Sequence, residues 1–291
     1  MIVVKISDGL GNQLFQYAYA SMLKTKTRQK IYLDISDINR MAVRESEVGK
    51  LTKLCDMREF QLNNFEITLP IIDERRISKI NRYKGKNVRN KFFDYCRELR
   101  LLPVVYLNEL MCNENEFRFS RWQSYYVEGF FFDKKYFEKE SDVLRQEYKL
   151  REKIVIPKEL EKILADRNTV SLHIRRGDFL RVGRDMSDSD YYVRAMDYVK
   201  ARVQAPFLLI FSDDMEWVRN NMKFDLEHMM ISGQGFSDCE ELTLMSMCRN
   251  NIMANSTFSY WGAWLNPNKE KIVISPRGWR QKIIPDTWVQ L

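Results

Sequence analysis

Residues that bind metals or form disulfides are scarce in this sequence. Its 291 residues include two histidines, His173 and His228, and five cysteines at scattered positions without the paired spacing of a metal site. An odd number of scattered cysteines is typical of a reducing compartment, where thiols stay reduced. These absences argue against a structural zinc site and against a disulfide framework.

Long apolar runs are also missing. No stretch approaches the roughly 18 apolar residues that a membrane span needs, and residues 1–6 form a strand pattern and not a secretory signal. We therefore expect a cytoplasmic location. Hydrophobic residues make up 45% and charged residues 30%, as in globular proteins, and the length suffices for two domains. The net charge of +7 favours a polyanionic partner, which is a nucleotide, a nucleic acid or an anionic membrane surface.

A basic hexapeptide after a short apolar strand is the central motif of the chain. Residues 169–172 predict a buried strand, and residues 173–178, His-Ile-Arg-Arg-Gly-Asp, follow it, with Gly177 predicted to break the strand into a loop. Ligands of open α/β sheets bind at the carboxyl ends of the strands. Two adjacent arginines suit a pyrophosphate, because each planar guanidinium can hold phosphate oxygens bidentately. The alternative is a strand end with solvated charges.

Three further motifs occur in the chain. Residues 9–18 read Gly-Leu-Gly-Asn-Gln-Leu-Phe-Gln-Tyr-Ala, residues 211–214 Phe-Ser-Asp-Asp, and residues 255–265 Asn-Ser-Thr-Phe-Ser-Tyr-Trp-Gly-Ala-Trp-Leu. The first puts a Gly-x-Gly turn between a strand and a helix, which can bring backbone N–H groups to a phosphate, and a tight turn alone is the alternative. Together the four ordered motifs resemble the bacterial α-1,2-fucosyltransferases, an inverting, GDP-fucose-dependent family. The resemblance extends from Gly9 to Trp264, except between about residues 41 and 122.

Alternating strand and helix patterns predict the fold. Strands at residues 1–6, 31–34, 104–107 and 124–129 indicate a first α/β unit, whose first helix has Asn12 as its N-cap. Later strands at 170–174, 207–211, 228–231, 251–254 and 272–275 alternate with helices, which predicts a parallel sheet. Those helices are expected from Ser187 or Asp188 to 202, at 215–222, after a capping box at Ser237, and at 258–265.

We predict an α/β fold of two Rossmann-like domains that face each other across a cleft. The resemblance implies the same arrangement, called GT-B. Residues 1–155 are the predicted acceptor-side domain, and residues 156–275 the domain that binds GDP-fucose. Residues 276–291 are predicted to form a tail that packs back on the first domain.

The resemblance implies transfer of L-fucose from GDP-β-L-fucose to the 2-hydroxyl of a terminal galactose, in an oligosaccharide or a lipid-linked glycan, with inversion. Arg175 matches the arginine that holds the β-phosphate in related enzymes. Alternation along the strand places His173 on the same side, near guanine or ribose, and Ile174 on the other. Arg176 faces either the phosphate or a neighbouring carboxylate. Asp178 is the leading candidate for the catalytic base, and a structural pair with Arg176 is its alternative.

Other segments complete the predicted substrate site. Guanine offers adjacent N1–H and N2–H₂ donors to one carboxylate, for which Glu241 is the first candidate and Asp213 the alternative. Phosphate oxygens are expected at the helix start near residue 257 and at the glycine loop of the first domain. The residues expected to bind substrate there are Asn255, Ser256, Thr257, Phe258, Gly11, Asn12 and Gln13. Because these groups and Arg175 supply positive potential, we expect no metal cofactor.

Residues 75–100 hold ten Lys or Arg against two acids, with apolar side chains at roughly helical spacing. This pattern suits a surface helix or helical pair that contacts an anionic membrane near a lipid-linked acceptor, and it equally describes a solvated basic face over ordinary core contacts. The same charge would suit a nucleic-acid-binding protein, but the chain has no recognised nucleic-acid motif, so we expect no nucleic-acid partner. A transferase for another GDP-sugar or linkage position is the other alternative.

Overall fold

A computed structural model describes residues 1–38, 59–81, 103–113 and 119–291. The chain divides into two compact units, Met1–Tyr148 and Lys149–Leu291, so the division precedes the predicted end of the first domain at residue 155. Each unit contains one parallel β-sheet with helices, which agrees with the predicted α/β class. Within these four ranges, no helix is both long and apolar enough to cross a membrane.

The first unit has four parallel strands, β1 (Ile2–Lys5), β2 (Ile31–Asp34), β3 (Val104–Asn108) and β4 (Ser124–Glu128). Their order in the sheet is β2-β1-β4-β3. The helices are α1 (Leu10–Thr27), α2 (Glu74–Asn81), α3 (Glu109–Asn113) and α4 (Ser141–Glu147), with short 3-10 turns at Leu62–Asn64, Lys134–Tyr136 and Glu138–Glu140. The membrane-contact prediction for residues 75–100 lies outside the described residues, apart from α2.

Helix α1 begins before the predicted cap Asn12. Asp8 has a left-handed backbone with φ 68°, and Gly9 is the N-cap, so the chain enters the helix earlier than expected. Asn12 lies inside the first turn, where its Nδ2 donates to Asp8 Oδ2 at 2.7 Å. Tyr19 of this helix stacks on Phe131, which follows β4, with ring centroids 3.7 Å apart, and both side chains are buried in the core.

The second unit has six parallel strands, β5 (Asn168–Ile174), β6 (Pro206–Ser212), β7 (His228–Met230), β8 (Asn250–Ile252), β9 (Val273–Ser275) and β10 (Val289–Gln290). Their order is β10-β9-β8-β5-β6-β7. The helices are α5 (Lys158–Asp166), α6 (Gly177–Arg181), α7 (Tyr191–Lys200), α8 (Met215–Asn221), α9 (Asp238–Met247) and α10 (Thr257–Leu265).

Two hydrophobic layers cover the faces of the second sheet. On one face, Val170 and Leu172 of β5 pack with α7 and α8. On the other, Leu209 and Phe211 of β6 pack with α5 and α9. Burial on both faces explains why β5 and β6 are continuous apolar runs in the sequence, which is the pattern that predicted them.

The helix ends differ in how well the sequence predicts them. Ser237 caps α9 in a complete capping box, as predicted. Helix α7 begins at Tyr191, so neither Ser187 nor Asp188 is its cap. The hydroxyl of Ser187 instead donates to Asp185 Oδ2 at 2.6 Å, which holds this segment in an irregular loop.

The carboxyl-terminal tail completes the edge of the second sheet. Strand β10 pairs with β9, and the N–H of Leu291 donates to Ser275 O at 3.2 Å. Trp288 packs on Tyr260 of α10 with ring centroids 5.3 Å apart. These contacts place residues 276–291 in the second unit. The sequence does not predict β10, because a strand of two residues has no detectable periodicity.

The strand order creates a switch point in the second unit. From β5 the chain runs outward through β6 to β7, and it then returns to β8 on the other side of β5 and continues to β9 and β10. The direction of winding therefore reverses between β5 and β8. In open parallel sheets such a switch point forms a crevice outside the carboxyl ends of the strands, and this crevice binds ligands. The central hexapeptide and residues 255–258 both emerge there.

Candidate active site

Arg175 leaves β5 with its guanidinium held between two carboxylates. Nη2 donates to Asp178 Oδ1 at 2.6 Å, and Nη1 lies 3.0 Å from Asp213 Oδ2. The side chain is 19% exposed, so it is fixed in direction yet open to a ligand. Asp178 lies in the first turn of α6, not in the predicted loop, and it pairs with Arg175 and not with Arg176, the partner considered as the alternative to a catalytic role.

Asp213 fixes this turn through both of its oxygens. Oδ1 accepts the backbone N–H of Arg176 at 2.8 Å, while Oδ2 faces Arg175. A Cβ added at Gly177 would lie 2.6 Å from Asp213 Oδ2. The motif therefore needs glycine at this position because the carboxylate fills the space of a side chain. Asp213, considered in the sequence analysis as a guanine acceptor, is placed beside the arginine motif.

Arg176 faces neighbouring carboxylates, which is one of the two orientations that the sequence left open; the other was toward the phosphate. Its Nε donates to Asp214 Oδ2 at 3.2 Å, and its Nη1 donates to Asp185 Oδ2 at 3.1 Å and to Ser187 Oγ at 2.8 Å. The guanidinium carbon also lies 3.8 Å from the centre of the Trp217 ring. The side chain is only 12% exposed. Arg176 is thus a structural anchor that joins α6, α8 and the loop before α7.

His173 is buried near the amino end of α10. Its ring centroid lies 5.5 Å from that of Phe258, and its Nδ1 has no hydrogen-bond partner among the residues that the structure describes. Burial, assisted by the charge of Arg175, lowers the pKa of His173 to about 3. The imidazole is therefore neutral at physiological pH, and it can donate or accept a hydrogen bond without carrying charge.

The amino end of α10 lies at the switch point. Ser256 is its N-cap, and the hydroxyl accepts the N–H of Phe258 at 3.2 Å. Thr257 is the first helical residue, so the first-turn N–H groups and the helix dipole are directed at the carboxyl edge of the sheet. Asn255 donates from Nδ2 to the carbonyl of Arg184 at 2.8 Å and so joins two loops of the site. This arrangement is suited to binding an anion.

Glu241 lies on α9 beside the ends of β6 and β7. Its Oε2 accepts the hydroxyl of Ser232 at 2.9 Å, and Ser232 Oγ in turn accepts the N–H of Ser212 at 3.0 Å. Burial raises the pKa of Glu241 to about 7, the Ser232 hydrogen bond opposes this rise, and the charge of Asp238 adds to it. Glu241 is therefore a partly buried carboxyl group that changes its charge near neutral pH.

The predicted binding residues of the first unit lie in the first turn of α1. Gly11 is buried, and Asn12 is bound to Asp8. Gln13 is fully buried: its Nε2 donates to the carbonyls of Asp8 and Glu59, and its Oε1 accepts the N–H of Gln61 at 3.1 Å. Gln13 thus has a structural role in holding the turn.

Sequence reasoning missed the partners that hold Arg176. Asp185 and Ser187 follow the motif in an irregular loop, and Trp217 lies on α8. The one detectable signal was Asp214, the second carboxylate of the Phe-Ser-Asp-Asp motif, which both caps α8 and binds Arg176. Loop residues without a repeating pattern give no other indication of such contacts.

The chain belongs to glycosyl transferase family 11, whose pattern matches residues 1–282. It is 31% identical to the O-antigen biosynthesis glycosyltransferase WbnK of Escherichia coli, over 98% of this chain and 99% of that protein. It is 27% identical to the alpha-1,2-colitosyltransferase of Escherichia coli, over 100% of this chain and 99% of that protein.

The fold is shared with a solved enzyme of low sequence identity. The crystal structure of fucosyltransferase NodZ from Bradyrhizobium superposes with a TM-score of 0.50 at 14% identity, and the alignment covers 91% of this chain and 93% of NodZ. The predicted fold class, α/β and similar to the GT-B fucosyltransferases, is thereby confirmed. The family resemblance found in the sequence is confirmed as well.

Proposed function

We propose that the protein is a galactoside α-1,2-fucosyltransferase. It transfers L-fucose from GDP-β-L-fucose to the 2-hydroxyl of a terminal galactose, in an oligosaccharide or a lipid-linked O-antigen precursor, with inversion at the fucose C1. The observation that carries this proposal is the placement of Arg175, in a chain of glycosyl transferase family 11, at the switch point of the second sheet.

The proposed chemistry depends on charge that develops as the bond to fucose breaks. The departing β-phosphate gains negative charge, which the guanidinium of Arg175 and the N–H groups at the start of α10 stabilise. Asp178 is the proposed base for the acceptor hydroxyl, because it lies 2.6 Å from Arg175 and therefore beside the reacting end of the donor. On the other side of Arg175, toward β6 and β7, Glu241 is the proposed acceptor of the guanine N–H groups.

The decisive experiment is linkage analysis of the product after incubation with GDP-fucose and a panel of galactosides. We expect an α-1,2-linked fucose on terminal galactose. A fucose at another hydroxyl, or no transfer to any galactoside, would contradict the proposal.

A second candidate donor is GDP-colitose, because a relative that matches the chain over its full length is an alpha-1,2-colitosyltransferase. Colitose is L-fucose without the 3-hydroxyl. Competition between the two donors at equal concentration separates the candidates. A site that hydrogen-bonds the 3-hydroxyl rejects the sugar that lacks it, since its own polar groups would then stay unpaired. Preferred use of GDP-colitose would assign the chain to that activity.

Metal independence is the first further prediction. Since Arg175 and the amino end of α10 supply positive potential at the phosphates, Mg²⁺ or Mn²⁺ is not needed there. Transfer should continue at an unchanged rate in EDTA, and added divalent cations should not accelerate it. Complete loss of activity in EDTA, restored by a divalent cation, would contradict this prediction.

Glu241 provides a prediction with a pH signature. The carboxylate can accept both guanine donors only when it is ionised, so GDP affinity should rise as the pH increases through about 7. Glu241→Gln should weaken GDP binding by about tenfold, in line with the loss of a charged hydrogen-bond partner, and should remove this rise. Because guanine is remote from the reacting carbon, kcat should change less than KM.

Calorimetry at several pH values, on both wild type and variant, measures these effects. The phosphates of GDP titrate equally in the two proteins, so the difference between their pH profiles reports Glu241 alone. If the variant bound GDP as tightly as the wild type, Asp213 would become the better candidate for the guanine contact.

Peripheral contact with an anionic membrane is a further proposal, supported by the basic composition of residues 75–100 and by the similarity to WbnK, a glycosyltransferase of O-antigen biosynthesis. We expect the enzyme to act at the inner leaflet.

Binding to anionic vesicles should fall steeply with salt, because each Lys or Arg near such a surface contributes about 1 kcal/mol. Replacing Lys84, Lys86, Arg89 and Lys91 with Gln should release the protein in co-sedimentation. Transfer to a soluble galactoside should be unaffected, whereas equal binding to neutral vesicles would argue against the proposal.

A further inference from the structure

A surface pocket of about 450 Å³ lies at the carboxyl ends of β8 and β9, wholly within the second unit. Four segments line it: the residues around the start of α7, the residue that precedes the cap of α10, the turn after β9, and Leu291 after β10. The polar and aromatic residues that matter most are Asp190, Arg194, Asn255, Arg277 and Trp279. Of these five residues, only Asn255 belongs to a sequence motif or to the proposed donor site. The other four have no role in the proposed guanine and phosphate contacts.

The order of strands places this pocket beyond the phosphate end of the proposed donor site. Along the sheet edge, Glu241 lies at β6 and β7, Arg175 at β5, and Asn255 at β8, followed by Arg277 at β9. Neighbouring strands are about 4.8 Å apart, so β9 lies roughly 10 Å from β5. A fucose bound to the β-phosphate at Arg175 and an acceptor sugar beside it would together extend over about this distance.

The lining has the chemistry of a carbohydrate site. Trp279, which is partly exposed, offers an aromatic face to the C–H groups of a pyranose ring. Asp190 and Arg194 form an ion pair at 3.1 Å, with 75% and 48% of their side chains exposed, so both keep groups available for sugar hydroxyls. Arg277 adds an exposed guanidinium. A volume near 450 Å³ is within the range of about 300–1,000 Å³ typical of small-molecule sites.

Asn255 connects the pocket to the donor site. Its Nδ2 is bound to the carbonyl of Arg184, and its Oδ1 is buried without a hydrogen-bond partner within the described part of the chain. A buried carbonyl oxygen of this kind is uncommon and is satisfied when a donor reaches it. A hydroxyl of a sugar seated between the cap of α10 and Trp279 is such a donor.

We propose that this pocket is the acceptor subsite, which binds the terminal galactoside of the glycan with its ring against Trp279. The second unit would then itself contact the acceptor, which the sequence analysis assigned to residues 1–155. This inference rests on the proposed function. The pocket lies at the surface, so the rest of a glycan can extend from it into solvent. Its volume is larger than one sugar ring needs, so the pocket has more room than the fucose of the donor would occupy.

The test compares Trp279→Ala with Trp279→Phe and Arg277→Ala, using a soluble galactoside. Trp279→Ala and Arg277→Ala should each raise the acceptor KM by about tenfold or more, whereas KM for the donor and the GDP affinity stay within about twofold. Trp279→Phe should recover most of the acceptor affinity because it keeps an aromatic face. Saturation-transfer NMR with GDP and the galactoside gives a second readout that needs no turnover, and its signal should disappear in Trp279→Ala.

Two controls keep the outcomes separate. Trp122→Ala removes a tryptophan of the first unit that is 92% exposed, and Lys282→Ala removes an exposed charge near Trp279 that does not line the pocket; both should leave the acceptor KM unchanged. If wild-type enzyme transfers the sugar and Trp279→Ala has an unchanged acceptor KM, the subsite is wrong and the proposed function stands. A rise confined to the donor KM would assign the pocket to the donor sugar and overturn the proposal. Failure of the wild type with every galactoside would instead contradict the proposed function.

Discussion

Arg175→Ala is expected to reduce kcat/KM for transfer by at least about a hundredfold while the protein stays folded. One charge-assisted contact to a departing phosphate in a site sheltered from water contributes on the order of 3 kcal/mol or more of transition-state stabilisation. The guanidinium is held in direction by Asp178 and Asp213 and is still 19% exposed, so a phosphate can reach it. Initial rates with GDP-fucose and a soluble galactoside measure the loss.

Arg175→Lys separates geometry from charge. Lysine keeps the positive charge but has no planar fork, so it cannot bind two carboxylates and a phosphate in the same directions. We expect this variant to remain severely impaired. Circular dichroism and the melting temperature should be close to those of wild type in both variants, because Arg175 and its two partners are all partly exposed. Activity of either variant within a few-fold of wild type would remove Arg175 from the catalytic role.

Central elements of the fold were predictable because their sequence signals are local. Strands β5 and β6 are buried on both faces, which makes them apolar runs whatever their neighbours are. The cap of α9 was predictable because Ser237 and Glu240 satisfy each other within one helical turn. The parallel sheet followed from the alternation of strands and helices, but its strand order, and with it the switch point between β5 and β8, is known only from the structure.

Other features depend on contacts between distant segments, and these the sequence does not reveal. Asparagine is a common helix cap, which is why Asn12 was predicted to start the helix. The left-handed backbone of Asp8 lets the helix begin earlier, and Asn12 donates a hydrogen bond to the Asp8 carboxylate instead. A pair with Arg176 was the alternative considered for Asp178, yet the α6 turn brings its carboxylate to Arg175. The requirement for Gly177 becomes visible only when Asp213, 36 residues later, is seen to occupy the space of its side chain.

The two adjacent arginines therefore have different roles, and Arg176→Ala should show this through stability. The variant leaves Asp214 and Asp185 without their shared cation and exposes the face of Trp217. Breaking a buried ion pair from one side costs about 3 kcal/mol or more, so the urea midpoint should fall clearly.

The matched control for this loss is Arg167→Ala. Arg167 also pairs with a carboxylate, Glu227 at 2.9 Å, and also stacks on a ring, Phe207, but its side chain is 34% exposed and that of Glu227 70% exposed. An exposed pair of this kind contributes between about 0 and 1 kcal/mol, so the control should unfold near the wild-type midpoint. Arg176→Ala should thus lose stability and Arg175→Ala should lose transfer with little loss of stability. An Arg176→Ala protein that unfolds like wild type would show that the carboxylates need no anchor, and the structural role assigned to Arg176 would be wrong.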